Sequence, residues 1–309
     1  MSNHLPAFFA VLSLLFYPAV LSASELLTTE RYEHEEVHLG TLVRIILYAH
    51  SQEVAEKAVK EAFASFVTVN EMMNTYDSDS ELSKLNRSQC AYVSKEIFTV
   101  LKAAKHYSTL SDGAFDVTAA PMVRLWRRSS RLRELPSEQL IAQAKELVGN
   151  HLWELEEQTQ TIRLLKPGMR LDLGGIAKGY AIDRAFEIIQ THGITSLLVD
   201  AGGDFRVGLP PPNTEGWRIA KDNKIYFMKE TAMATSGGRF QFVEIDGTRY
   251  AHIVDPKTGL GITGLHTVYV TAPTAMEADA LATAVSVLGK EKGKKLISTL
   301  PKVSVEIVE

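Results

Sequence analysis

The spacing of apolar residues changes along the chain, and this change restricts the fold more than any other feature. After Ser51, the residues Val54, Ala55, Ala58, Ala62, Phe66, Val69 and Met73 recur at helical spacing, with the serine placed as an N-cap. Ser94 opens a second such stretch (Ile97, Val100, Leu101, Ala104, Tyr107), and Ser137 a third (Leu140, Ile141, Ala144, Leu147) closed by Gly149. From Ser196 to Tyr269 the chain consists of short β-rich runs separated by turn signals, among them Pro210-Pro211-Pro212-Asn213, Asp246-Gly247 and Asp255-Pro256-Lys257-Thr258-Gly259. Val37 to Tyr48 reads as a strand or hairpin after a polar lead, and Trp153 to Leu165 as a hairpin. Thr274 and Glu277 form a capping box that starts a last helix running to about Leu288. The expected class is α+β.

Composition narrows the function. Cys90 is the single cysteine, so an internal disulfide and a thiolate metal site are both excluded, and the fold rests on its core. With 33 Lys+Arg against 37 Asp+Glu the net charge is −4, which offers no basic footprint for nucleic acid. No repeat or low-complexity linker follows residue 50, so residues 25–309 are expected to form one domain.

The first residues read as a targeting segment. Leu5 to Leu21 carries no charge, and Ser22-Ala23-Ser24 supplies the small residues that a signal peptidase accepts, so residues 1–24 are expected to be a cleaved secretory signal. An uncleaved membrane anchor is the alternative, and Pro6 and Pro18 shorten the helix available for it.

Four segments could carry chemistry. Arg170 to Asp183 (RLDLGGIAKGYAID) reads as a strand end, a glycine pair and a helix start. Backbone N–H groups at such a turn can face a pyrophosphate, with Lys178 as counter-charge, although the pair serves close packing equally well. Val199 to Phe205 (VDAGGDF) is a second glycine site, and by itself reads as a bulge or tight turn. Asp279 and Thr283 lie four residues apart on one helix face and offer hard oxygen ligands suited to Mg²⁺; alone, they could equally be a solvated polar stripe. His252, near a strand end, could take a proton near neutral pH or simply be structural.

Taken with Met73-Asn-Thr-Tyr-Asp-Ser-Asp-Ser-Glu-Leu-Ser-Lys-Leu-Asn86, Gly113-Ala-Phe-Asp-Val-Thr118, Gly40-Thr41, Ala234-Thr-Ser-Gly237 and Ala278-Asp-Ala-Leu-Ala-Thr283, these segments resemble the ApbE family of FAD:protein FMN transferases. The matches keep the family's order from about residue 39 to residue 289. The resemblance implies a T-fold-like domain with mixed, largely antiparallel sheets flanked by helices, FAD in a cleft, and Mg²⁺ on its pyrophosphate. It implies FAD contacts at Leu39, Tyr76, Ala114, Phe115, Asp116, Asp172, Lys178 and Ile253, and metal ligands at Asp279, Thr283 and the backbone carbonyl of Ala177. His252 falls on the family histidine expected to assist deprotonation of the acceptor, and Lys178 is placed to hold phosphate oxygens.

Three departures bear on that expectation. Leu39 replaces a methionine often found before Gly-Thr, Ala282 stands where some members carry another acid, and the lipoprotein cysteine is missing, which implies a soluble periplasmic form. The implied reaction is transfer of FMN from FAD to a threonine of an exported or membrane redox protein, with release of AMP; the usual acceptors are subunits of membrane-bound redox complexes. The alternatives are an FAD pyrophosphatase and a periplasmic flavin-binding protein without turnover.

Overall fold

The computed structural model describes Met1 and residues 28–221, 224–238, 241–264 and 266–308. Apart from Met1, the expected signal segment lies outside these residues. The described chain opens with strands β1 (Glu30–His38) and β2 (Thr41–Ala49), followed by α1 (Gln52–Met73), α2 (Glu81–Ser88), β3 (Cys90–Tyr92) and α3 (Lys95–Leu110). Next come α4 (Ala120–Leu132), α5 (Glu138–Lys145), β4 (Trp153–Glu156), β5 (Thr161–Leu164) and α6 (Ala177–Thr191). Strands β6 (Leu197–Ala201), β7 (Asp204–Val207), β8 (Trp217–Lys221), β9 (Lys224–Met228) and β10 (Thr231–Gly237) follow. The remaining elements are β11 (Phe242–Ile245), β12 (Thr248–Ala251), β13 (Thr267–Ala272), α7 (Ala275–Ile297) and β14 (Ser304–Val308).

A seven-stranded sheet in the order β1-β2-β6-β7-β10-β13-β14 is the frame, and every neighbouring pair in it is antiparallel. Successive side chains on a strand point to opposite faces. Val43, Ile45, Leu47, Val199, Ala232 and Val270 therefore face the main core, where α1, α6 and α7 pack on the sheet. Ile46, Leu198, Phe205, Val207 and Met233 face the other way and are covered by Trp217 of the β8–β9 hairpin. A third, smaller core joins Met122 and Trp126 of α4 to Ala144 of α5, Ile245 of β11 and Val254.

The helix caps agree with the sequence. Ser51, Ser94 and Ser137 accept from the backbone N–H groups of Val54, Ile97 and Leu140, and Thr274 accepts from Glu277. Other elements exceed expectation. Strand β1 begins inside the polar lead, which is possible because it is an edge strand with charged residues turned to solvent. Helices α2 and α4 and strand β14 are additional to the expected elements; α4 buries Met122, Trp126 and Ser129 at helical spacing with its arginines turned outward. Helix α7 reaches Ile297, but Gly289 (φ 74°, ψ 179°) interrupts it one residue beyond the expected end at Leu288.

Candidate functional site

The site begins where α6 meets α7. Gly179, in the first turn of α6, lets the helices approach closely, and its N–H donates to Asp279 Oδ2 at 3.0 Å. Asp183, one turn further on, accepts the N–H groups of Ala275 and Met276, each at 2.9 Å, and is paired with Arg206 at 2.8 Å. One buried carboxylate thus caps the start of α7 and ties it to α6 and β7. The glycine bend is then forced against the polar face of α7. A β-carbon on Gly175 would lie 3.1 Å from Thr283 Oγ1 and 3.3 Å from the Phe115 ring.

This junction forms the floor of a cleft of about 520 Å³, within the range usual for small-molecule sites. Lys178, Asp279, Thr283, His252, Ile253, Asp172 and the Ala114-Phe115-Asp116 stretch all line it. Lys178 Nζ is 2.8 Å from Asp204 Oδ2. Burial pulls the lysine's pKa down, but the carboxylates of Asp204 and Asp279 outweigh it, and the net direction is upward, so the ammonium stays charged. Burial also raises the pKa of Asp279, and the neighbouring charge of Asp204 raises it further. Asp204 is delivered by the second glycine segment. Gly202 and Gly203 (φ 65° and 94°) form the two-residue turn between β6 and β7, the turn expected of that segment when read alone. Thr235 N–H donates to Asp204 Oδ1 at 2.8 Å, so β10 joins the cleft wall as well.

His252 follows the last residue of β12 and lines the same cleft. The strand end is fixed by Trp126, whose Nε1–H donates to the Ala251 carbonyl at 3.0 Å. The His252 ring reaches solvent, while the protein around it lowers the imidazole pKa, mainly by desolvation.

Leu39, Tyr76 and Ala177 line a neighbouring cavity of about 540 Å³, which shares Arg127, Asp172 and Gly174 with the cleft. Ala177 lines this second cavity, while its neighbours Gly175 and Lys178 line the cleft together with Asp279 and Thr283. Asp172 holds the boundary: its Oδ1 accepts from Gly174 N–H at 2.8 Å and its Oδ2 faces Arg127 at 3.4 Å. The Arg127 guanidinium lies over the exposed Tyr76 ring, 5.3 Å from its centroid. The Asp116 carboxylate is turned inward and accepts from Thr118 and Ser108. Arg127, Asp183 and Asp204 were not singled out by the sequence. Arg127 is one arginine among several in α4, and the two aspartates gain their roles from contacts with residues 23 or more positions away.

The donor set fits a hard divalent cation. Asp279 Oδ1 and Thr283 Oγ1 have no hydrogen-bond partner among the described residues, although the Asp279 carboxylate is buried beside another acid. No group of three or more His, Cys, Asp or Glu able to hold a metal occurs among the described residues. A cation here would depend on substrate phosphates and water for the rest of its shell, as Mg²⁺ usually does.

The ApbE family model matches residues 39–307. An FAD:protein FMN transferase of Vibrio cholerae is 35% identical over 243 residues, covering 73% of this chain and 71% of that protein. One of Treponema pallidum is 30% identical over 300 residues, covering 87% of this chain and 82% of that protein. Among solved structures, the flavinyl transferase ApbE of Pseudomonas stutzeri superposes with a TM-score of 0.81 at 26% identity, over 92% of this chain and 96% of that one. The ApbE protein of Thermotoga maritima gives 0.80 at 31% identity, over 90% and 94%. In sequence motif, in fold and in the order of its site segments, this chain belongs to the ApbE family of enzymes.

Proposed function

We propose that this chain transfers the FMN moiety of FAD to a threonine hydroxyl of another protein, releases AMP and depends on Mg²⁺. The observation that carries this reading is the convergence, in one cleft, of a half-buried cation, a buried carboxylate with a free oxygen, a free hydroxyl and an exposed histidine. The names of the relatives support it, since each is an FAD:protein FMN transferase. The periplasmic location belongs to the same proposal and is supported by the sequence of residues 1–24, and the exported redox acceptor by the family resemblance.

Each residue then has a task. Lys178, kept charged by Asp204, holds phosphate oxygens, and the Gly174-Gly175 bend lets the backbone come close to them. Asp279 and Thr283 supply oxygen ligands for Mg²⁺. When bound, the metal neutralises phosphate charge and makes AMP a better leaving group. Phe115 and Tyr76 present aromatic area to the rings of the dinucleotide. His252 accepts the threonine proton as the Oγ–P bond forms and the bond from phosphorus to the AMP oxygen breaks.

The test is incubation with FAD, Mg²⁺ and a threonine-bearing acceptor domain. A fluorescent acceptor band and stoichiometric AMP are expected, with the added FMN confirmed by mass spectrometry. No labelling of several authentic acceptors would reject the reading, and release of free FMN without acceptor would identify water as the nucleophile.

A further inference from the structure

Helix α4 carries an unusual surface. Met122, Trp126 and Ser129 face its core, and Arg124, Arg127, Arg128 and Arg131 all lie on the opposite side, within an arc of roughly 100° at helical spacing. Arg133 caps the end of the helix. Arg124, Arg128, Arg131 and Arg133 are exposed and have no carboxylate partner among the described residues, in a chain whose acids outnumber its bases.

Helix stability does not account for this face. Like charges at i,i+3 and i,i+4, as in Arg124–Arg128 and Arg127–Arg131, weaken a helix. The helix dipole favours cations only in the last turn, which leaves Arg124 and Arg127 without that compensation. The strip also has a direction: Ala120, Val123 and Arg127 form part of the cleft wall, and the exposed arginines continue outward from it. Guanidinium forks suit carboxylates in bidentate geometry.

We propose that the arginine face of α4 docks an acidic segment of the acceptor polypeptide and so holds the acceptor hydroxyl at the cleft mouth. This rests on the transferase reading for the identity of the partner, but its binding test does not require turnover. The probe is a fluorescein-labelled peptide with one threonine flanked by four glutamates, compared with the same peptide carrying glutamines. Fluorescence anisotropy at low salt should show preference for the glutamate peptide, lost as ionic strength rises.

The triple variant Arg124→Gln, Arg128→Gln, Arg131→Gln should bind the glutamate peptide about tenfold more weakly, each exposed charge contributing a factor of about two. Its affinity for FAD should not change, and the corresponding triple lysine variant should retain most of the salt-dependent binding. Equal affinity for the two peptides, or unchanged binding by the glutamine variant, would overturn the proposal. So would a variant that loses only its binding to phosphatidylglycerol vesicles, since the strip would then face lipid. A chain that binds the peptide but labels no acceptor would sink the transferase reading and leave the docking strip standing.

Discussion

Gly179 lies so close to Ala275 that a β-carbon added to it would sit 2.2 Å from the Ala275 carbonyl oxygen. That contact sets the separation of α6 and α7, and with it the distance from the Gly174-Gly175 bend to Asp279 and Thr283. The obstructing atom is backbone and cannot swing aside, so Gly179→Ala must push the helices apart. We expect a loss of about 1–3 kcal/mol in unfolding free energy, read by urea denaturation, together with a large fall in flavin transfer. Wild-type stability in this variant would show that the junction tolerates a wider spacing.

Asp183 is the second fastening of the same junction. Removing its side chain leaves the N–H groups of Ala275 and Met276 without their acceptor and Arg206 without its ion pair. Asp183→Ala should cost about 3 kcal/mol, as breaking a buried charged network does, seen as a lower denaturation midpoint. A midpoint within experimental error of wild type would contradict this assignment.

Asp279 differs from these two because its role is chemical. Asp279→Ala takes a ligand from a helix face and should abolish Mg²⁺-dependent turnover; it also leaves the buried Gly179 N–H without its acceptor, so a loss of about 1–3 kcal/mol in stability is expected with the circular dichroism spectrum close to that of the parent. Calorimetric titration with Mg²⁺ and FAD should show the metal's contribution disappear. Full activity of the variant in chelated buffer would show that the metal assignment is wrong.

The pH profile tests His252. A general base works as neutral imidazole, and desolvation lowers its pKa, so the neutral form persists to lower pH than for an ordinary histidine, near 6.5. The rate should therefore be flat above neutrality and fall on acidification, with a midpoint below 6.5. His252→Ala should lose transfer, retain FAD binding and lose this acid limb. A midpoint above 6.5, or a variant that no longer binds FAD, would make His252 a substrate contact and not a base.

Much of this architecture is legible in order along the chain. Serine caps, the period of α1 and α3, and the turn pairs Asp246-Gly247 and Gly202-Gly203 are local signals, because each depends on residues within a few positions of one another. Helix α4 is the counter-example. Met122, Trp126 and Ser129 recur at helical spacing, but besides Ala144 of α5 their partners are Ile245 of β11, Ala251 of β12 and Val254, more than a hundred residues downstream, so nothing nearby in the chain shows that Trp126 must reach the Ala251 carbonyl. Arg127 shows the same difficulty within the site, since only the fold selects it from among its neighbours to stand between two cavities.

The sequence by itself determined which chemical groups are available: a glycine bend with a following lysine, an aspartate and a threonine on one helical face, and a histidine beside a turn. Tertiary structure alone decided that Asp204 would lie beneath Lys178, that Asp183 would fasten α7, and that Arg127 and Asp172 would stand between the cleft and the cavity lined by Leu39 and Tyr76. The reason is physical. Residue type and local spacing set what a side chain can donate or accept, whereas its partners and its pKa depend on burial and on charges brought near by distant segments of the chain.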